Sequence, residues 1–161
     1  MTPPEAKDRP SEEPVLVSAC LLGVRCRYDG RDNADGALVR RLEANGQRAL
    51  PFCPEEQGGL TTPRPAAWIE ARDAAAVVDG HSRMVTDQGQ DVTQAFVRGA
   101  QAALSTCQEH GITRAFLKER SPSCGTLRTH VDGRLTDGPG VTTEVLRRAG
   151  VQVEGIEGRR T

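Results

Sequence analysis

No apolar run in this 161-residue chain approaches the roughly 18 residues that a membrane-spanning helix needs. Aromatic residues are scarce, at one Trp, one Tyr and three Phe. The charges nearly cancel, with 21 Lys and Arg against 22 Asp and Glu. Such a chain has neither the basic footprint nor the stacking surface of a nucleic-acid binder. Lysine is almost missing: Lys7 and Lys118 are its only examples, and the arginine excess reads as a compositional bias. The opening residues, MTPPEAKDRPSEEP, lack the basic start and apolar stretch of a secretory signal, so a cytoplasmic location is expected.

What is present describes a globular protein. The hydrophobic share of 37% looks low, but adding the 17 glycines brings it to roughly 47%, within the globular range. The length predicts one domain with a core large enough to need no staples. Five cysteines without an export signal then call for another explanation than disulfides, and the odd count agrees. In a reducing compartment such cysteines are buried hydrophobes, metal ligands or catalytic thiols.

Residues 1 to about 13 are polar and aperiodic and are expected to form a disordered tail, with a short polar tail over residues 158–161. The body, residues 14–157, alternates strand and helix signals. Val15–Ala19 reads as a buried strand, Ala37–Ala44 as a helix stopped by Asn45–Gly46, and Arg48–Phe52 as a second strand. Trp68–Ile69, Ala76–Val78 and Met84–Thr86 suggest a hairpin around Asp79–Gly80. The clearest helix is Asp91–His110, with Asp91 and Gln94 as a capping box and Gly111 at its end. Val92, Phe96, Ala100, Ala103, Leu104 and Cys107 share one face of it. Ile112–Leu117 is a third strand, Val141–Ala149 a further helix and Val151–Ile156 a last strand. The pattern predicts a single-domain α/β fold, a mainly parallel sheet flanked by helices.

Cys107 belongs to the apolar helix face and reads as a small core residue. The other cysteines follow strands. Cys20 comes directly after VLVSA, Cys53 after ALPF, and Cys124 lies in KERSPSCG just beyond the strand ending at Leu117. In a parallel sheet the carboxyl ends of strands share one edge, where loops build sites. Cysteines distant in sequence therefore converge there, and Cys26, six residues after Cys20, lies near enough to join them. Thiolates suit zinc, copper(I) or iron–sulfur clusters, and spacing alone leaves these open, together with a reading as metal-free loop thiols. The histidines His81, His110 and His130 sit in polar contexts and are expected to be solvated. Glu55, Ser121 and Lys118 lie beside the cysteines as a carboxylate, a hydroxyl and an ammonium. These groups suit proton transfer and charge stabilisation, though Ser and Glu also serve as ordinary caps and turn residues.

Four blocks, SACLLGVRCRYDG, CPEEQGGLTTPRP, DVTQAF and LKERSPSCG, occur in this order. Over roughly Val15 to Glu157 the chain resembles the thiouracil desulfurase-like family (the domain-of-unknown-function 523 family). It departs from the family pattern at Thr126–Leu127, where glycine or serine is expected.

The resemblance implies a 4Fe-4S cluster held by three cysteines, Cys20, Cys53 and Cys124, with one iron open to substrate sulfur and Cys26 as a neighbour. It further implies non-redox hydrolysis of C=S to C=O on a small thiolated pyrimidine, such as 2-thiouracil or a thiouridine derivative, with release of hydrogen sulfide. Glu55 and Ser121 are then the expected catalytic groups, and Arg64 and Lys118 the expected substrate-binding ones. Neither a nucleic-acid polymer nor a membrane is an expected partner. The rival readings are a non-catalytic zinc protein with Cys20, Cys26, Cys53 and Cys124 as ligands, and a four-cysteine iron–sulfur electron carrier.

Overall fold

In the computed structural model, which describes residues 12–161, two four-stranded sheets share two of their covering helices. The expected N-terminal tail lies outside the described residues over 1–11, and Glu13 already belongs to the first strand. That strand, β1 (Glu13–Ser18), runs into a 3-10 turn over Ala19–Leu22. Helix α1 (Gly36–Ala44) then leads to β2 (Gln47–Phe52) and the short α2 (Pro54–Gln57). Later in the chain come the long α4 (Thr93–His110) after a short α3 (Ala74–Val78), then β5 (Arg114–Lys118), α5 (Val141–Arg148) and β8 (Gln152–Ile156). Strands β2, β1, β5 and β8 lie side by side in that order, every pair parallel.

The two-residue period of a strand divides the core cleanly. Val15, Val17 and Phe116 face α1 and pack with Leu38 and Leu42. Leu16, Ala115 and Leu117 face the other way, onto Ala103 and Cys107 of α4 and Leu146 of α5. Both faces are covered, which explains why VLV and AFL read as continuous apolar runs rather than alternating ones. Each of these fully withdrawn Val and Leu side chains contributes about 1.5–3 kcal/mol of hydrophobic free energy. Cys107 is one of the buried residues on α4, as its helical spacing predicts.

The second sheet has the order β4, β3, β6, β7, with β3 (Ala67–Glu70), β4 (Arg83–Thr86), β6 (Arg128–Val131) and β7 (Arg134–Asp137). The expected pairing of Trp68–Ile69 with Met84–Val85 is present and antiparallel. Ala76–Val78 corrects the expectation: it is helix, not strand. Asp73 caps α3 by accepting from the Ala76 N–H, and three successive alanines favour the helical turn. The capping box at Asp91 is also corrected. Asp91 accepts from the backbone N–H and hydroxyl of Thr93, and α4 begins at Thr93 without a side-chain cap. The β6–β7 hairpin has no counterpart in the expected elements.

Helix α4 joins the two layers, with Phe96 and Ala100 in the core of the second sheet and Ala103 and Cys107 in that of the first. Near its start it meets α2 backbone to backbone. A Cβ on Gly99 would overlap the Pro54 carbonyl, and one on Gly58 would overlap the Ala95 carbonyl. The chain end differs from a free tail. Arg159 N–H donates to the Asn33 carbonyl, Gly36 N–H donates to the Arg160 carbonyl, and Arg160 pairs with the buried Asp35.

Candidate functional site

From β1 the connections leave in opposite senses, to β2 on one side and eventually to β5 on the other. Open α/β sheets form their clefts at the carboxyl ends of such neighbouring strands. Here Cys20 follows β1, Cys53 follows β2 and Cys124 follows β5. All three line one cavity of about 420 Å³, together with Cys26. The second sheet adds Trp68 of β3 and His130 of β6 to its lining.

Each thiol is fixed by local structure. Cys20 sits in the 3-10 turn, which Gly23 ends in the left-handed conformation (φ 95°). Asn33 braces it: the side-chain amide donates to Cys20 Sγ at 3.4 Å, and the Asn33 N–H donates to the Cys20 carbonyl. Cys53 occupies the N-cap position of α2, where Pro54 at the first helical position pre-sets the turn. Cys26 lies beside it, with its Sγ, that of Cys53 and a Glu56 oxygen all within 4.8 Å of one another. Cys124 is fixed from both ends, its N–H donating to Ser121 Oγ at 3.0 Å and its carbonyl accepting from Thr143 Oγ1 at 3.0 Å.

The four thiols differ electrostatically. Hydrogen bonding with Cys20 and then Cys53, together with burial, raises the pKa of the Cys26 thiol that stands beside them. The hydrogen bond with Cys26, opposed by burial and helped by Asn33, Lys118 and Arg27, lowers Cys20 to about 7. Cys53 is lowered by the same donor against the effect of burial. Burial pushes Cys124 well above the ordinary thiol range, and Cys107 on its helix up to about 11. Cys20 and Cys53 are thus easier to deprotonate than an ordinary thiol, and Cys124 is harder. Loading a metal would release the proton of Cys124.

All the polar residues expected at the site line the same cavity: Glu55, Arg64, Lys118 and Ser121. Arg64 directs its guanidinium onto protein acceptors. Its Nε reaches Glu55 Oε1 at 3.0 Å, Nη1 reaches the Thr61 carbonyl and Thr62 Oγ1, and Nη2 reaches the Cys26 carbonyl at 2.8 Å. Ser121 Oγ accepts from the N–H groups of both Ser123 and Cys124, closing the turn that presents Cys124. Lys118 Nζ donates to the Glu119 carbonyl, and among the described residues no carboxylate lies within ion-pair distance of it. Burial lowers the pKa of Lys118 despite the nearby Cys20 and Glu157 charges.

Sequence reasoning misses several members of this site. Ser123, not Ser121, is the hydroxyl that meets Glu55, at 3.3 Å from Oε2, and it is fully buried behind the carboxylate. Asn33 carries no spacing signal because its partner is 13 residues away. His130, expected in solvent, is half-buried in the cavity wall, whereas His81 and His110 are exposed. Trp68 and Tyr28 add apolar walls that only the fold brings near the thiols.

Fold and site together define an α/β domain whose strand-end loops gather four thiols and a half-buried carboxylate around one cavity. The chain belongs to the 2-thiouracil desulfurase family, whose profile matches residues 15–157. It is 37% identical over 142 residues to the uncharacterized protein YbbK of Bacillus subtilis strain 168, covering 86% of this chain and 93% of that one. Among solved structures it is similar to the [4Fe-4S]-dependent thiouracil desulfidase TudS. The match has 45% sequence identity and a TM-score of 0.76, over 89% of this chain and 91% of that one. Among the described residues no helix is long and apolar enough to cross a membrane.

Proposed function

We propose that this protein is an iron–sulfur desulfurase that hydrolyses the C=S group of a small thiolated pyrimidine to C=O and releases hydrogen sulfide. The observation that carries the reading is the meeting of Cys20, Cys53 and Cys124, from three adjacent strand ends, with Glu55 in one cavity. Family membership and the similarity to TudS support it.

The donor set fits the cluster. Soft thiolates select iron–sulfur, zinc or copper(I), and hard-ion ligands would be carboxylates or carbonyls. Cys20, Cys53 and Cys124 would hold three irons of a 4Fe-4S cluster and leave the fourth without a protein ligand. When bound, the cluster supplies a thiophilic Lewis acid to the substrate sulfur.

The reaction balances without a redox partner: one water supplies the new carbonyl oxygen, its two protons end on sulfide, and the C–S electrons leave with sulfur. Glu55 acts as the acid/base that takes a proton from the attacking water. Arg64 on Oε1 and Ser123 on Oε2 leave each carboxylate oxygen a further lone pair for that water. Ser121 Oγ, already accepting two N–H bonds, has its own proton to donate into the cavity. The Lys118 ammonium, which has no carboxylate within ion-pair distance among the described residues, offsets negative charge that develops on the reacting atoms. Arg64 serves the substrate through Glu55, because most of its donors are spent on the protein.

Among the described residues the site carries no phosphate-cradling glycine loop, which favours a free base over a nucleotide. The test is anaerobic reconstitution with iron and sulfide, followed by a sulfide assay on 2-thiouracil and on 4-thiouridine monophosphate. The position of Cys26 between Cys20 and Cys53 favours one alternative, a non-catalytic four-thiol zinc or iron–sulfur protein. A colourless protein containing zinc and releasing no sulfide would establish that alternative.

A further inference from the structure

Glu119 is a carboxylate that the proposed chemistry does not use, yet it is one of the most enclosed acids in the molecule, only 6% exposed. A buried carboxylate costs several kcal/mol unless something compensates it. Among the described residues no cation does so. Its partners are backbone and hydroxyl dipoles. Oε1 accepts from the N–H groups of Thr126 at 2.8 Å, Leu127 at 3.0 Å, Arg128 at 3.1 Å and Arg120 at 3.3 Å. Oε2 accepts from Thr126 Oγ1 at 2.5 Å. Successive N–H groups turned onto one anion form a nest, the arrangement that proteins otherwise use to hold bound anions.

This nest has a definite place in the fold. Glu119 stands immediately after β5, Thr126–Arg128 leads into β6, and the segment between them carries Ser121, Ser123 and Cys124. Arg120 is held in the left-handed region at φ 67°, which a non-glycine residue adopts only under constraint. Apolar packing does not hold the far end of the segment, because Leu127 is 73% exposed. Strand β8 makes room for the carboxylate: a Cβ on Gly155 would overlap both Glu119 Oε2 and Thr126 Oγ1. Thr126, which departs from the family pattern, supplies two of the five donors.

We propose that Glu119 is a positioning residue, which ties both ends of the 120–128 loop together and so presets Cys124 before any metal binds. The functional meaning rests on Cys124 being a ligand; the geometry of the clamp does not.

The test is peptide-resolved alkylation of the full-length, cluster-free chain with iodoacetamide under reducing conditions, with Cys107 as an internal reporter of global opening. Glu119→Ala removes every acceptor at once. It should speed alkylation of Cys124 at least about tenfold while Cys107 changes less than about twofold, as selective local opening requires. Glu119→Gln retains an oxygen for the N–H groups and should bring Cys124 back to within about threefold of the parent. If Glu119→Ala does not fold, Thr126→Val carries the test, since it deletes only the hydroxyl donor and should still accelerate Cys124 alone. Parallel acceleration of Cys124 and Cys107, or no acceleration in either variant, would overturn the proposal. Selective acceleration together with a failed sulfide assay would sink the desulfurase reading and leave the clamp standing.

Discussion

Arg64 Nε donates to Glu55 Oε1 at 3.0 Å, and the two side chains are only 5% and 14% exposed. Breaking a buried ion pair by removing one partner leaves an uncompensated charge, which costs about 3–5 kcal/mol. Arg64→Met should therefore move Glu55 out of place and release the Cys26 carbonyl together. We expect sulfide release to fall about as far as in Glu55→Ala, by roughly 10²–10⁴-fold, with the visible absorbance of the reconstituted protein retained in Glu55→Ala. Near-normal turnover in either variant removes that residue from the mechanism.

The thiols should separate by iron content. Serine in place of Cys20, Cys53 or Cys124 is expected to leave little bound iron after anaerobic reconstitution. Cys26→Ser should keep the iron, since three ligands suffice in this account. Cys26→Ala, which removes the thiol donor that lowers Cys20 and Cys53, should shift their metal-free alkylation profiles to higher pH. Iron loss in Cys26→Ser would favour the four-thiol alternative.

Asp35 links the site loop to the chain end and predicts a pH dependence of stability. Burial pushes its carboxyl up, but the Arg160 guanidinium at 2.8 Å and the N–H groups of Leu38 and Gly158 outweigh this and hold it below the usual range. A depressed folded pKa stabilises fully above the unfolded value of about 4, and the gain is lost as pH falls through the lower folded value. Asp35→Asn retains the cap on α1 but loses the charge, and should cost about 1–2 kcal/mol at pH 7. Urea unfolding below pH 4 should bring parent and variant together; a gap independent of pH contradicts the assignment.

Gly99→Ala tests how α2 is aimed. Its Cβ would push into the Pro54 carbonyl and with it the segment from Cys53 to Glu55. Overpacking of this kind costs about 1–3 kcal/mol. Both the urea midpoint and the retained iron should drop, whereas Gly89→Ala, strained by its φ of 81° but with no atom within reach of the new Cβ, should lower the midpoint and leave iron unchanged.

Local periodicity carried most of the parallel sheet, because VLV, AFL and the α4 face are buried stripes whose neighbours lie in the same segment. The strand-end cysteines were legible for the same reason, since a parallel sheet brings its carboxyl ends to one edge. The β6–β7 hairpin was not. Every residue of β7 is exposed, so no apolar alternation marks it. Ala76–Val78 misled because a short apolar run fits a strand or a helix equally, and only the Asp73 cap decides. Contacts such as Arg64 with the Cys26 carbonyl, 38 residues apart, and Gly99 with Pro54 depend on the assembled fold and leave no spacing signal.

The central claim is that thiols from three strand ends hold an iron–sulfur cluster which serves hydrolysis of C=S. Its most direct test is a single reaction: the anaerobically reconstituted protein with 2-thiouracil, followed for sulfide and uracil together. The account predicts a brown protein that forms sulfide and uracil in equal amounts with no added electron donor or acceptor. A colourless zinc-loaded protein, or a brown one that turns over no thiolated pyrimidine, would contradict it.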